Sequence, residues 1–134
     1  MTITHFEDLT IWKEARIMCT HIYAFTKKIK DFGFIDQIQR ASVSIMNNIA
    51  EGFDRGRITK DNKQFISFLN MASGSCGEVK SMLYLAQDLN YLSADEAVNL
   101  RNECLSISTK ISSLVNVLQE NNGKNNRPTN RLTD

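Results

Sequence analysis

Residues 36–57, DQIQRASVSIMNNIAEGFDRGR, are the segment around which the structure of this 134-residue chain can be predicted. Apolar or small residues recur here in steps of three and four, which is the spacing of one face of an α-helix. That face carries Ile35, Ile38, Ser42, Ile45, Ile49 and Phe53. The remaining circumference is rich in side chains that form hydrogen bonds. The stretch therefore predicts a helix with one broad buried side and one polar side, and solvent exposure is the simplest interpretation of the polar side.

The same spacing recurs in three further segments of the chain. The four predicted helices span residues 8–30, 34–54, 59–90 and 93–120. Asp8 and Thr59 are the predicted N-caps of the first and third helices, and Gly56 is predicted to end the second in a left-handed conformation. Because only short turns separate these segments, the sequence predicts an all-α fold, an antiparallel up-down-up-down four-helix bundle.

Two local signals refine the third and fourth helices. Ser93 and Glu96 have the spacing of a capping box, in which each side chain bonds the backbone of the other residue. Gly74 and Gly77 lie in the middle of the third helix, where each costs about 1 kcal/mol relative to Ala. The apolar spacing passes through both glycines without a phase change, which favours an unbroken helix over a break. We expect another helix to pack closely against them.

The predicted core combines one seam from each helix. We expect burial of Trp12, Ile38, Ile45, Ile49, Phe68, Cys76, Leu83, Ile107, Ile111 and Leu114. Further apolar residues exceed what a small bundle must bury, namely Ile11, Met18, Met46, Ile66, Met71 and Tyr84. Because surplus apolar surface tends to mark an interface, this excess indicates a homo-oligomer.

The ends of the chain carry no targeting signal that we recognise. The first ten residues lack the basic and apolar regions of a signal peptide, and no apolar run is long enough to span a membrane. We therefore expect a cytoplasmic protein with no membrane contact. Residues 122–134, NGKNNRPTNRLTD, are polar and contain the only proline, so we predict a disordered tail after a single domain over residues 1–121.

Composition and motifs argue against an enzyme and against a cofactor. The two histidines, His5 and His21, stand in no catalytic motif, and no Glu-x-x-His pair of a carboxylate metal site occurs. Cys19, Cys76 and Cys104 are odd in number and lie on apolar helical faces, so we expect buried free thiols rather than a disulfide or a metal site.

Two acids lie among apolar or small residues on the second and third helices. Glu51 and Glu78 could form an acid pair, but ion pairs are the favoured interpretation, for example Arg40 with Glu78 or Glu51 with a neighbour.

Motifs in the first three predicted helices resemble those of a known family. They are Phe6, Leu9, Trp12 and Ala15; then Gln39, Arg40, Ala41, Ser44, Ile45, Asn48, Ile49, Ala50, Glu51 and Gly52; and finally Phe68, Leu69, Ala72, Ser75, Glu78 and Val79. The chain resembles the four-helix bundle proteins encoded by intervening sequences of bacterial large-subunit ribosomal RNA genes, which in turn resemble the accessory protein of diversity-generating retroelements. The family usually has Pro where this sequence has Met46, a departure that affects local helix geometry.

The resemblance implies a homopentameric ring. In the retroelement relatives, a basic surface binds nucleic acid and the reverse transcriptase, and the resemblance implies the same kind of surface here. The shared motifs do not fix the basic residues of that surface.

Sixteen basic against fifteen acidic residues leave a formal charge of +1, which argues against a strongly basic nucleic-acid binder. Binding of RNA or DNA would therefore need a local patch, repeated around a ring. The candidate residues are Lys13, Arg16, Arg40, Arg55, Arg57, Lys60 and Lys63. Solvated cations, or cations paired with Glu14, Asp54 and Asp61, are the alternative. Two hypotheses follow: a partner of RNA, DNA, a reverse transcriptase or another RNA-handling protein, or an oligomeric protein scaffold without nucleic-acid contact.

Overall fold

The computed structural model describes residues 2–126, and these form an antiparallel four-helix bundle without strands. A short 3₁₀ helix, Phe6–Asp8, precedes α1 (Thr10–Thr26), α2 (Phe32–Thr59), α3 (Lys63–Asp88) and α4 (Ala94–Asn126). Each helix lies beside its neighbours in the chain, and α4 closes the bundle against α1. The contact between α2 and α3 is the most extensive, and that between α1 and α4 is the least.

The core forms along the predicted seams. Ile38, Ile45 and Ile49 of α2 are fully buried, and they share one cluster with Leu83 and Ile111 from the facing helices. Their period of three and four residues keeps one side of α2 against the other helices over most of its length. The all-α class and the bundle architecture predicted from the sequence are thus confirmed.

Three residues of the predicted core are only partly buried, so that part of the prediction is wrong. Trp12 and Leu114 pack against the core from its margins, and Phe68 of α3 is also only partly buried. The surplus apolar residues also divide: Ile11 and Met18 are needed inside the bundle, whereas Met71 and Tyr84 remain exposed.

Several helix ends differ from the predictions. Asp8 belongs to the 3₁₀ helix, and Leu9, which has no capping side chain, precedes α1. Gly56 does not end α2, because the helix continues to Thr59 and Lys60 takes the left-handed conformation with φ 59°. The Lys60 backbone N–H donates to the Gly56 carbonyl at 3.0 Å.

The third and fourth helices also have boundaries other than those predicted. The N-cap of α3 is Asn62 rather than Thr59. Helix α4 extends to Asn126, past the predicted domain boundary at residue 121. Residues 127–134 of the predicted tail lie outside the described residues.

Polar contacts hold together the end of the bundle where α2 and α4 begin. Asp31 accepts the Phe34 N–H at 3.2 Å and the Tyr91 hydroxyl at 2.8 Å, which ties the α1–α2 turn to the α3–α4 turn. The predicted capping box of α4 is confirmed. The Glu96 N–H donates to Ser93 Oγ at 3.1 Å, and the Ser93 N–H donates to Glu96 Oε1 at 2.9 Å. The Ser93 backbone N–H, with the Ser93 side chain, lowers the pKa of the Glu96 carboxyl.

Helix α3 is unbroken through Gly74 and Gly77, as predicted, but no helix among the described residues packs against them. A β-carbon at either position would meet nothing within 4 Å. The close approach occurs instead at Gly52 of α2, where a β-carbon would lie 2.5 Å from the Phe68 Cβ. A side chain at Gly52 would therefore force α2 and α3 apart.

Candidate nucleic-acid interface

Six of the seven predicted cations lie where α1 begins, α2 ends and α3 begins. We call this the basic end; it comprises Lys13, Arg16, Arg55, Arg57, Lys60 and Lys63. The 3₁₀ helix contacts both α1 and α2 there, so it joins the two helices that carry most of these residues. Arg40 does not belong to the group. It precedes Arg55 by fifteen residues of the same helix, which is about 22 Å at the helical rise per residue.

Arg55 is held in place by two neighbours. Its Nη2 lies 3.0 Å from Glu51 Oε1, one helical turn earlier, and its guanidinium lies 5.3 Å from the centre of the Phe68 ring. The prediction that Glu51 pairs with a neighbour is therefore confirmed. Because both side chains of the ion pair are about half exposed and the ring is only partly buried, the guanidinium stays accessible.

The N-terminal segment covers part of the basic end. Phe6 packs edge-to-face on Trp12 with ring centres 5.2 Å apart, and the Arg16 guanidinium lies 5.6 Å from the Trp12 ring centre. Arg57 donates a hydrogen bond to the Thr4 carbonyl. Arg16 and Arg55 thus each stand over an aromatic ring at this end of the bundle. The stacking limits the rotamers of both side chains while their charge faces solvent.

The link between α2 and α3 presents the two lysines. The Asp61 carboxylate accepts the Lys63 backbone N–H at 2.9 Å. Asn62 donates its side-chain amide to the Leu118 carbonyl at 3.2 Å, which anchors the link to α4. Lys60 and Lys63 are both exposed. The hydrogen-bonded backbone here therefore carries two lysines that are exposed to solvent.

Among residues 2–126, the only cation of the basic end that forms an ion pair is Arg55. Of the alternative interpretation, pairing with Glu14, Asp54 or Asp61 is not observed within these residues, whereas simple solvation of the cations remains compatible with the structure. Glu14 bonds Lys110 and Ser106 of α4 instead. Burial raises the pKa of Glu14, but those two bonds outweigh it and leave the pKa below its ordinary value.

Outside the basic end, Arg40 pairs with Asp36, whose carboxylate oxygen lies 2.9 Å from Arg40 Nε. The suggested pair of Arg40 with Glu78 is therefore wrong. Glu78 is exposed on α3, so neither the acid pair nor burial of this carboxylate occurs.

Two features of the basic end were missed in the sequence. Ile58 is 80% exposed between the cations, and the two arginines stack on aromatic rings. The spacing of Trp12 and Arg16, four residues apart on one helix, is the signal that could have indicated the first stack. The second stack joins different helices, so sequence spacing cannot reveal it.

The three cysteines are buried free thiols, as expected. Within residues 2–126, no group of three or more His, Cys, Asp or Glu side chains could hold a metal ion. No helix in this range is long and apolar enough to cross a membrane. One cleft lies between α1 and α4, where His21 Nδ1 is 2.9 Å from Glu103 Oε1, and another lies between the polar faces of α1 and α2.

Comparison with known proteins places the bundle in a sequence family. The family profile of the 23S rRNA-intervening sequence proteins matches residues 7–113. The fold is similar to a crystal structure from Bacteroides thetaiotaomicron, a protein of unknown function from the S23 ribosomal protein family. The two share 23% identity with a TM-score of 0.70, over 79% of this chain and 98% of the other. At this identity the likeness shows the fold alone. None of the curated proteins matches the sequence.

Proposed function

This chain belongs to the 23S rRNA-intervening sequence protein family, and we propose that it acts as a non-enzymatic, oligomeric nucleic-acid-binding protein. The ligand is RNA or DNA, bound through phosphates at the basic end. A reverse transcriptase or another RNA-handling enzyme is the protein partner that the resemblance to retroelement accessory proteins suggests. Neither the family description nor the structural neighbour carries a catalytic assignment.

The observation that carries this proposal is the grouping of cations at one end of a nearly neutral chain. Lys13, Arg16, Arg57, Lys60 and Lys63 form no ion pair within the described residues. The aromatic rings beneath Arg16 and Arg55 hold two guanidinium groups in defined positions. Unpaired cations can replace the counterions of phosphates, which is the main source of affinity in non-specific nucleic-acid binding.

Assembly multiplies this surface. We propose a homopentameric ring, as the resemblance implies, in which the basic end of each subunit repeats around the axis. A protein of net charge +1 per chain would then present a band of positive potential. Light scattering tests the assembly directly. We expect the mass of five chains of 15.2 kDa at micromolar concentration, and a single-chain mass would contradict the ring.

Nucleic-acid binding is tested by gel shift over a series of salt concentrations with single-stranded RNA, duplex RNA and duplex DNA. We expect the affinity to fall as salt rises, with a slope set by the number of phosphates bound. The double variant Arg55→Ala with Arg57→Ala should weaken binding, and the slope should decrease by about one for each phosphate that is no longer neutralised.

The matched control removes two charges from the opposite end of the bundle. The double variant Lys27→Ala with Lys28→Ala has the same net charge as the double arginine variant. Both lysines follow the end of α1, far from the basic end. We expect this control to bind nearly as tightly as the wild type. Equal losses in the two double variants would mean that net charge alone drives binding, and absence of binding at low salt would refute the proposal.

The second candidate is a protein scaffold without nucleic-acid contact, favoured by apolar surface shared by α3 and α4. Tyr84, Val98 and Leu105 are exposed there, and the Arg101 guanidinium lies 4.0 Å from the Tyr84 ring centre. Tyrosine, arginine and exposed aliphatic groups are common at the centre of protein interfaces. An intact oligomer that binds no nucleic acid at low salt would favour this function.

A further inference from the structure

The outer side of α3 carries an exposed apolar stripe with one acid in it. Met71, Glu78 and Leu85 are spaced seven residues apart, and Leu89 follows four residues later at the end of the helix, so all four share one side of α3. The three apolar side chains are 44–46% exposed, and Glu78 is exposed as well. Among residues 2–126, Glu78 forms no ion pair. We call these four residues the carboxylate face.

A second exposed stripe lies on α4, beside Tyr84 of α3. Val98, Arg101 and Leu105 are separated by steps of three and four residues, so they also share one side of their helix. The Arg101 guanidinium lies 4.0 Å from the centre of the Tyr84 ring and donates to Gln87 Oε1 at 3.1 Å. It forms no ion pair within the described residues. We call Tyr84, Val98, Arg101 and Leu105 the guanidinium face.

The two faces look in different directions. Tyr84 and Leu85 are consecutive residues of α3, and consecutive residues project about 100° apart around a helix axis. One flat contact with another molecule therefore cannot cover both faces. Each face combines exposed apolar groups with one charge that has no ionic partner in the described part of its own chain, and the two charges are opposite in sign.

We propose that the carboxylate face of one chain packs against the guanidinium face of a second copy, so that Glu78 of one copy pairs with Arg101 of the other. The inference rests on the assembly in the proposed function, and it names the surfaces that form it. Contact between two different faces leaves each copy with one face for a further copy, and such contacts can close into a ring. Apolar burial supplies the affinity, and the charge pair selects the partner face.

The test is charge reversal, followed by light scattering of the full chain at micromolar concentration. Glu78→Arg and Arg101→Glu each bring like charges together at the contact, which opposes association. We expect each single variant to lose the oligomer and to show the 15.2 kDa mass of one chain. The double variant restores the pair with its signs exchanged, so it should recover the oligomer.

Two control variants make the same changes of charge outside both faces. Glu120→Arg and Lys27→Glu alter exposed residues, and both should keep the wild-type mass. A wild-type oligomer that survives both single reversals, or a double variant that stays monomeric, would overturn the pairing of faces but not the ring. A monomeric wild type would refute the ring and this contact together.

The apolar part of the contact gives a second test, which stands if Arg101→Glu fails to fold. Leu85→Ser and Leu105→Ser each remove one exposed aliphatic group from a face. Each should raise the protein concentration needed for half-assembly by about tenfold. Val117, which is 50% exposed on another side of α4, is the control, and Val117→Ser should leave that concentration unchanged. Equal shifts in the three variants would overturn the two faces.

Discussion

Gly52 of α2 and Gly77 of α3 are both glycines inside a helix, but their surroundings are opposite. Gly52 is buried, and a β-carbon there would lie 2.5 Å from the Phe68 Cβ. Gly77 is exposed, and a β-carbon there would meet nothing within 4 Å. Both lower the intrinsic stability of a helix by about the same amount. Only at Gly52 does the fold gain something in return, namely the close approach of α2 to α3.

The difference shows where the bundle is built most tightly. Phe68 forms the contact with Gly52, and the guanidinium of Arg55, three residues after Gly52 in α2, rests over the Phe68 ring. The spacing of α2 and α3 at Gly52 therefore also sets the position of a cation at the basic end. No comparable contact is made at Gly77 within the described residues, so a methyl group can be added there without displacing a neighbouring helix.

The largest effect is expected on the α2 seam that carries Gly52. Ile45 is fully buried, and replacing it by Ala should destabilise the protein by about 2–5 kcal/mol through reduced burial and a residual cavity. Ile111→Ala on α4 should behave in the same way. Urea unfolding followed by circular dichroism gives these free energies.

Ile17 provides the matched control for the same chemical change. It is 53% exposed on α1, so Ile17→Ala should change the unfolding free energy by less than about 0.5 kcal/mol. A loss of stability at Ile17 as large as that at Ile45 would mean that the buried seam has been assigned to the wrong face.

A smaller effect on the unfolding free energy is expected at the start of α4, where the side chain of Ser93 accepts a backbone hydrogen bond and fills no space in the core. Ser93→Ala removes the bond to the Glu96 N–H and should cost about 1 kcal/mol. Exposed Ser81 in α3 is the control, since Ser81→Ala should be neutral or slightly stabilising. If the two variants had equal unfolding free energies, that result would contradict the capping box.

The same cap predicts a pH dependence. Bonds from the Ser93 backbone and side chain lower the pKa of Glu96 below its unfolded value. The capping contribution is therefore complete above the unfolded pKa, and it is lost as the pH falls through the lower pKa of the folded protein. The difference in unfolding free energy between wild type and Glu96→Gln should shrink over that acidic range.

Periodicity was enough to predict the helices and most of the core. The step of three and four residues identified Ile38, Ile45 and Ile49 because burial on one helical face leaves that pattern directly in the sequence. It failed for Trp12 and Phe68, which lie at the margins of the seam, where packing depends on the neighbouring helix. Sequence spacing alone cannot distinguish residues at the margin of an apolar seam from those at its centre, because the difference depends on where the neighbouring helix lies.

The glycines show a second limit of the sequence. Helix weakening at Gly77 suggested a close neighbour, but the neighbour lies at Gly52, because only the facing residue decides whether a β-carbon fits. Similarly, the cations of the basic end could be chosen from their clustering, whereas Arg40 could not be excluded until its position along α2 was known. Pairs four residues apart, such as Glu51 and Arg55, are the part of the site that sequence spacing does predict.

Helices α2 and α3 meet at Gly52 without room for a side chain, and a comparison of two glycine substitutions tests this contact. Gly52→Ala and Gly77→Ala add the same methyl group to two helix interiors, so their unfolding free energies can be compared in one urea series. We expect Gly52→Ala to destabilise the protein by about 1–3 kcal/mol, because the added carbon meets the rigid Cβ of Phe68. Gly77→Ala should stabilise it by about 0.5–1 kcal/mol through helix propensity. Stabilisation by both substitutions would contradict the close approach of the two helices.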